Sequence, residues 1–318
     1  MNKFDGYCDN NGFHPTKTHD QVGNCTLREN SFLTADVMIT GCIRNINPTK
    51  LVNTTFPYID SVFEESRRRN LTAGAIVYVD DATDIVLRRT VEYWMKDRKR
   101  TTIILSRVSL GERIQRLSLC RNVLLAEAKR RMRASGFVLS LDMDCTPLQH
   151  SSAIFDALRT TPSYDVVTAN NPGPYRDMWA LRSQTLMRAE YDCFWDFQKM
   201  RQFGNCKRNR ILVNPTASPL YVGSAFNGMA IYKNSILFDT STKTCRYANE
   251  SVNPDDKKHH IVSEHIPYHN CLVQRGKRIS ILPSLLTFCH IWKTHHNARR
   301  FEYKSNSSTS FLLSNSTI

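Results

Sequence analysis

Asp142-Met143-Asp144 directly follows the apolar run Phe137-Val138-Leu139-Ser140-Leu141. If that run is a strand, side chains two positions apart point the same way. Both carboxylates can then share one hard divalent cation, Mn²⁺ or Mg²⁺, with ligand places left for water and phosphate oxygens. Such an ion neutralises charge developing on a leaving nucleotide. A D-x-D triplet arises often by chance, and its place at a strand end is what singles it out. The competing reading is a turn in which Asp144 caps the chain ahead of Thr146-Pro147.

Basic groups stand nearby. Arg44-Asn45 ends an apolar run, where a guanidinium can hold phosphate bidentately or stack on a base; a surface Arg with a turn-forming Asn reads equally well. Arg113, Arg116 and Arg121 share one helical stretch. Arg121-Asn122 interrupts the apolar positions between Leu117 and Leu125, so the cation needs an acceptor. An ion pair with Asp80 or Asp84, or snorkelling, is the structural alternative to ligand binding. Asp177, Trp179 and Arg182 follow the turn Asn171-Pro172-Gly173-Pro174. There Tyr175 and Trp179 offer an apolar face and Asp177 a hydrogen-bond acceptor.

The elements that must position these groups alternate. Short runs that are apolar throughout, at 37–43, 75–79, 102–105, 137–141 and 165–169, read as buried strands. Helical patterns fall near 55–69, 83–97, 149–160 and 183–201. The clearest spans 113–133, with Gly136 taken as its stop. Residues 221–233 and 279–288 read as further strands. This order predicts an α/β fold: a mainly parallel, Rossmann-like sheet with helices on both faces. Ligands of such sheets bind at the carboxyl ends of the strands. That rule gathers Arg44-Asn45, Asp80-Asp81, Arg107 and Asp142–Asp144 at one rim.

The chain has 318 residues, enough for one large domain over 35–304. Its donor half would cover about 35–150 and its acceptor half 151–304. Residues 1–34 read as an irregular leader and 305–318 as a loose tail. A composition 41% hydrophobic and 10% aromatic excludes general disorder. The 43 Lys+Arg against 29 Asp+Glu leave a formal charge of +14, suited to nucleic acid, an anionic membrane or a phosphate-bearing small molecule. No window reaches the roughly 20 apolar residues of a membrane span. No leader-type apolar run follows Met1, so the expectation is a cytoplasmic protein, or a luminal one from which an anchor has been removed. Ten cysteines form no C-x-x-C pair. Cys42, Cys120 and Cys145 read as small buried residues; Cys8, Cys25, Cys193, Cys206, Cys245 and Cys271 are free to pair in an oxidising compartment. Sequons at Asn24, Asn53, Asn70, Asn249, Asn306 and Asn315 permit a luminal location. His259-His260 and His295-His296 read as solvent-facing loops. The P-loop, nucleophile-elbow and zincin motifs are absent.

Taken in order, several segments resemble GT-A glycosyltransferases and, more narrowly, the cryptococcal capsule-associated α-mannosyltransferase family. They are Val37-Met38-Ile39-Thr40-Gly41-Cys42-Ile43-Arg44-Asn45, Arg113-Ile114-Gln115-Arg116-Leu117-Ser118-Leu119-Cys120-Arg121-Asn122, and the strand leading to Asp142-Met143-Asp144. Tyr175-Arg176-Asp177-Met178-Trp179-Ala180-Leu181-Arg182, Asn227-Gly228-Met229-Ala230-Ile231-Tyr232 and Ser263-Glu264-His265 follow. The resemblance implies transfer of a sugar, in that narrower family mannose, from a nucleotide-diphosphate sugar to a glycan hydroxyl, with no nucleic acid involved. It implies donor binding by Arg44, Asn45, Asp80, Arg113, Arg121, Asn122 and Asp142, and metal ligation by Asp142 and Asp144. It places Glu264-His265 near the acceptor, where Glu264 orients or deprotonates a hydroxyl, as Asp177 faces the sugar. His265 or His290 would supply a third metal ligand. The alternatives are a metal-dependent nucleotidyltransferase or nuclease using the same carboxylates, and a non-catalytic glycan-binding protein. The oligomeric state is not legible.

Overall fold

The computed structural model describes residues 2–9, 12–15, 24–29, 34–80, 84–106, 112–183, 185–186, 211–252 and 259–289. In chain order the first strands are β1 (Asn2–Asp9), β2 (Gly12–Pro15), β3 (Asn24–Glu29) and β4 (Ala35–Ile43). A short helix α1 (Pro48–Lys50) runs through a π-helical turn (Leu51–Thr55) into α2 (Phe56–Arg68), followed by β5 (Ala73–Val79), α3 (Ile85–Lys96) and β6 (Thr101–Ser106). Then come α4 (Arg113–Arg131), β7 (Met132–Asp142), β8 (Cys145–Pro147), α5 (Ser152–Thr160) and β9 (Val166–Asn170). The last elements are β10 (Leu220–Val222), β11 (Met229–Lys233), α6 (Asn234–Phe238), β12 (Glu250–Val252), β13 (His259–Ile261), α7 (His265–Gln274) and β14 (Ile279–Cys289).

The expected α/β architecture is present. Strands β7, β4, β5 and β6 lie side by side and parallel, forming the Rossmann-like centre of the sheet. Their apolar character follows from being covered on both faces: β6 is buried along its whole length and β4 at every position but Cys42. One face packs against α2, α3 and α5 through Phe56, Ile59, Val62, Leu87, Val91, Trp94, Ile154 and Phe155. The other packs against α4, α6 and α7 through Val123, Leu124, Ala128, Ile236, Leu237, Tyr268 and Leu272. The flanks depart from a uniformly parallel sheet. On one side β3, β1 and β2 are antiparallel; on the other β11 joins β7 to β9 antiparallel, and β14 pairs β9 parallel. No helix among the described residues is long and apolar enough to cross a membrane.

Four local expectations need correction. Part of the segment expected to be an irregular leader forms β1–β3, which extend the sheet beyond β6 and send Phe13, Cys25 and Leu27 into the core. Of the three, only β2 is an edge; β1 and β3 each pair with two strands, but their runs mix charged and polar residues with few apolar ones and so carry little of the signature of a buried strand. Gly136 does not end α4; it lies inside β7, where a Cβ would stand 1.9 Å from the Asp36 carbonyl oxygen. The 221–233 run is two strands, because Asn227 and Gly228 take positive φ (56° and 87°) and break it. His259-His260 lies in β13, paired with β12, rather than in a loop. Most of the 183–201 helix and the whole 305–318 tail fall outside the described residues.

Disulfides join Cys8–Cys25, Cys42–Cys120, Cys145–Cys289 and Cys245–Cys271. Cys42, Cys120 and Cys145 are thus bridged, not merely small and buried. Cys193 and Cys206 lie outside the described residues. The Cys42–Cys120 bridge ties β4 to α4, and Cys145–Cys289 ties the start of β8 to the end of β14. Both bridges close long loops, 78 and 144 residues apart in sequence, which the unfolded chain would otherwise leave open.

Candidate active site at the carboxyl ends of the parallel strands

A cavity of about 890 Å³ opens at the carboxyl ends of β4, β5 and β7. The strand ends supply Arg44, Asn45, Asp80, Asp142, Met143 and Asp144 to its wall. Helix α4 adds Arg113, Arg116 and Arg121, the segment after β9 adds Arg176, Asp177 and Trp179, and the start of α7 adds Glu264 and His265. The volume lies in the range of small-molecule sites.

The Asp-Met-Asp turn is held from several sides. Asp142 stands opposite Cys42 in the β4–β7 register, and its backbone N–H donates to the Gly228 carbonyl at 2.9 Å. Thr55 Oγ1 in the π-helical turn donates to the Met143 carbonyl at 2.9 Å, and Lys50 Nζ donates to the Asp144 carbonyl. Two glycines make room. A Cβ on Gly41 would lie 2.3 Å from Met143 Sδ, and one on Gly228 would lie 2.6 Å from both sulfurs of the Cys145–Cys289 bridge. Gly41→Ala is therefore expected to push Met143 aside, cost about 1–3 kcal/mol by overpacking, and weaken any ligand that depends on Asp142 and Asp144. Thermal melts beside a ligand titration check this; an unchanged melting temperature and affinity would contradict it.

Arg121 is the electrostatic hub. It is 3% exposed, and its guanidinium donates to Asp142 Oδ1 at 2.7 Å, Glu264 Oε1 at 2.9 Å and Ser140 Oγ at 3.2 Å, while lying 4.5 Å over the Phe226 ring. Burial alone would favour losing its proton, but Asp142 and Glu264 outweigh that and raise its pKa above the ordinary arginine value. Its partners are thus neither Asp80 nor Asp84. Asp80 instead accepts from Arg44 at 2.7 Å and lies 3.3 Å from Arg116. The Glu264 carboxylate is committed to Arg121, so it orients a cation rather than facing the cavity alone.

Asp177 has a different setting. Burial, then the negative charges of Asp142 and Glu264, push its pKa up to about 6, although the Ala180 N–H donates to its carboxylate at 3.3 Å. Its own N–H donates to Asn227 Oδ1 at 3.3 Å. Asp144 is also raised, by burial and then Asp142, with Arg176 and Lys50 opposing.

Among the described residues, Asp142, Asp144 and Cys145 bring potential metal-ligand atoms within 4.8 Å of one another. The Cys145 sulfur is bonded to Cys289, which leaves two carboxylates. That all-oxygen donor set suits Mg²⁺ or Mn²⁺. His265 does not join the group. It is buried, stacked on Phe226 with ring centroids 3.8 Å apart, and kept neutral by burial and then by Arg121. His290, Asp81 and Arg107 lie outside the described residues.

The structure brings Arg44, Asn45, Asp80, Arg113, Arg121, Asp142, Asp144, Asp177, Glu264 and His265 to one cavity. Asn122 points elsewhere. Its amide donates to the Tyr247 carbonyl and accepts from the Tyr247 N–H, each at 2.9 Å, fixing the segment between α6 and β12. Sequence reasoning did not assign Lys50 a role, and left Arg176 unassigned although it lies in a segment already quoted. The Asn47-Pro48 helix start was the available signal for Lys50, since Asn47 Oδ1 accepts from the Thr49 N–H at 2.9 Å.

No protein-family model matches the chain, and no curated protein matches it. Among solved structures it is similar to Staphylococcus aureus TarS 1–349, at 15% identity and a TM-score of 0.40. The same fragment in complex with UDP gives 15% and 0.38, and a further TarS structure gives 14% and 0.41. The match covers 80% of this chain in each case, with 59%, 59% and 36% of the TarS chains. The chain thus spans little more than half the length of the first two structures that it matches.

Proposed function

We propose that this cavity binds a nucleotide-diphosphate sugar and that the chain is a GT-A-like glycosyltransferase, passing the sugar to a glycan hydroxyl. The observation that carries the reading is the convergence, at the carboxyl ends of parallel strands, of an open carboxylate pair, several cations and a carboxylate of raised basicity. A phosphate-bearing donor suits the first two and a hydroxyl acceptor the third. Asp142 and Asp144 would hold Mn²⁺ or Mg²⁺, which when bound supplies charge neutralisation for the diphosphate. Arg121 fixes the Asp142 carboxylate from behind, and Glu264 fixes Arg121. Arg44, itself held by Asp80, faces the nucleotide side. Asp177 accepts the proton of the attacking hydroxyl, and its raised pKa makes it a better base than an ordinary aspartate at near-neutral pH. The family resemblance supports mannose as the sugar. The four disulfides among the described residues support a luminal, oxidising compartment.

The test is a panel of nucleotide sugars, GDP-mannose and UDP-hexoses included, assayed for Mn²⁺-dependent hydrolysis and transfer by the oxidised protein, with single- and double-stranded nucleic acid as competing substrates. Turnover of one nucleotide sugar and none of nucleic acid is expected. Cleavage of nucleic acid without turnover of any nucleotide sugar would overturn the reading.

A further inference from the structure

The two ends of the sheet differ in charge. Strands β14, β7, β4, β5 and β6 all begin at the end opposite the cavity, because β14 runs parallel to β9, while β9 and β7 both run antiparallel to β11. Four helix ends, with the connections that follow them, arrive there: 67–72 from α2, 96–100 from α3, 129–136 from α4 and 275–278 from α7. Together these segments hold fourteen Lys and Arg and one acid, Asp97. A fifth, 159–165 from α5, is balanced by Arg159 and Asp165. The side chains of Arg67, Arg68 and Arg133 are 77%, 67% and 55% exposed, and Lys99, Lys129 and Arg278 are exposed as well. Neighbouring acids pair with part of this charge: Glu64 and Glu65 with the α2 arginines, Asp36 with Arg133, and Asp239 with Lys277. The face therefore offers an excess of charge, not a set of unpaired groups.

Two simpler causes fall short. A helix dipole favours a cation or two in the last turn, whereas these segments carry three or four each. Solubility needs net charge, but not its collection at one end. Neighbouring strands stand about 4.8 Å apart, so the row from Arg278 before β14 to Arg100 before β6, six strand steps away, runs about 29 Å. The nine residues of β4 separate this face from the cavity by roughly 27 Å. A long polyanion matches such a row, and a small molecule held in the cavity does not reach it. Nucleic acid and the anionic lipids of a cytoplasmic leaflet lie on the reducing side of a membrane, whereas the disulfides belong to an oxidising compartment. We propose that this face binds an acidic glycan, a chain bearing carboxylate or sulfate groups, and holds it as a tether rather than as the group that reacts. The choice of partner rests on the oxidising-compartment reading above and not on the sugar-transfer reading.

The experiment measures binding of fluorescent heparin and polygalacturonate, one sulfated and one carboxylated, to the oxidised full chain over a range of salt. Neutral dextran, phosphatidylserine vesicles and duplex DNA are run beside them. Two variants remove two charges each from the face, Arg67→Gln with Arg68→Gln and Lys99→Gln with Lys129→Gln. A control, Arg88→Gln with Arg89→Gln, removes two from the middle of α3, and thermal melts report folding. The unaltered protein is expected to bind at least one acidic polymer and not dextran. Each face variant should weaken that binding about fivefold or more, from roughly 0.5 kcal/mol per exposed charge, and flatten its salt dependence. The control should change it by no more than about twofold. Should one face variant fail to fold, the other decides. No binding of either acidic polymer, or equal weakening by the control, would overturn the proposal and leave the sugar-transfer reading standing. Tighter binding of vesicles or DNA than of both polymers would overturn the glycan as partner.

Discussion

Asp177→Asn is expected to cut sugar transfer by about 10²–10⁴-fold, the usual contribution of a general base, while leaving donor affinity within a few-fold. The amide has nearly the same shape and still accepts the Ala180 N–H, so the fold should survive. The pH dependence follows from the sign of the shift. Burial and the neighbouring carboxylates raise the pKa to about 6, so the folded state holds this proton more tightly than the unfolded chain. Asp177's contribution to stability is therefore greatest below the ordinary carboxylate pKa, falls as pH rises towards about 6, and is level above that. Activity moves the opposite way: kcat should rise with pH to a plateau, with a limb centred near 6 that the Asn variant lacks. A variant retaining full turnover and the same acidic limb would remove Asp177 from the proton-accepting role.

Arg121→Met is expected to destabilise the protein by about 3–5 kcal/mol, the cost of breaking a buried ion pair by removing one partner. Glu264 is 5% exposed and would be left with an uncompensated charge beside the neutral His265 ring. Asp142 would lose the donor that fixes it. The accompanying Glu264→Gln, Arg121→Met double variant should recover part of the stability, because no buried carboxylate then remains at that position. It should not recover activity, since Asp142 stays unsupported. Denaturant unfolding of the two variants measures this directly, and an Arg121→Met protein as stable as the parent would contradict the hub role.

What could be read from the sequence depended on how local the cause was. The carboxylate pair was legible because an i, i+2 spacing after an apolar strand is a local geometric fact. Arg44 and Asp80 followed from the strand-end rule, which needs only the order of elements. Arg121 was legible as a cation inside an apolar stretch, but its acceptor was not: Glu264 lies 143 residues away and reaches it only through packing. Asn122, its neighbour, carried the same signal and turned out to hold the Tyr247 backbone. The β1–β3 strands escaped notice because their residues are largely polar and show little periodicity, although β1 and β3 each pair with two strands. The Cys42–Cys120 and Cys145–Cys289 bridges were invisible because cysteine spacing carries no information on which strand or helix the fold places beside each cysteine. Lys50 was missed because its position comes from a three-residue helix whose docking depends on the Asp-Met-Asp turn itself.

The central claim is that Asp142 and Asp144 form the metal and diphosphate end of a nucleotide-sugar site. Its most direct test is binding of the nucleotide sugar found in the donor panel, in Mn²⁺, to the unaltered protein and to Asp142→Ala and Asp144→Ala. Binding should require Mn²⁺ in the parent and be lost or weakened at least tenfold in both variants, with folding intact by circular dichroism. Binding of equal strength in the parent and both variants, or binding indifferent to Mn²⁺ throughout, would contradict it.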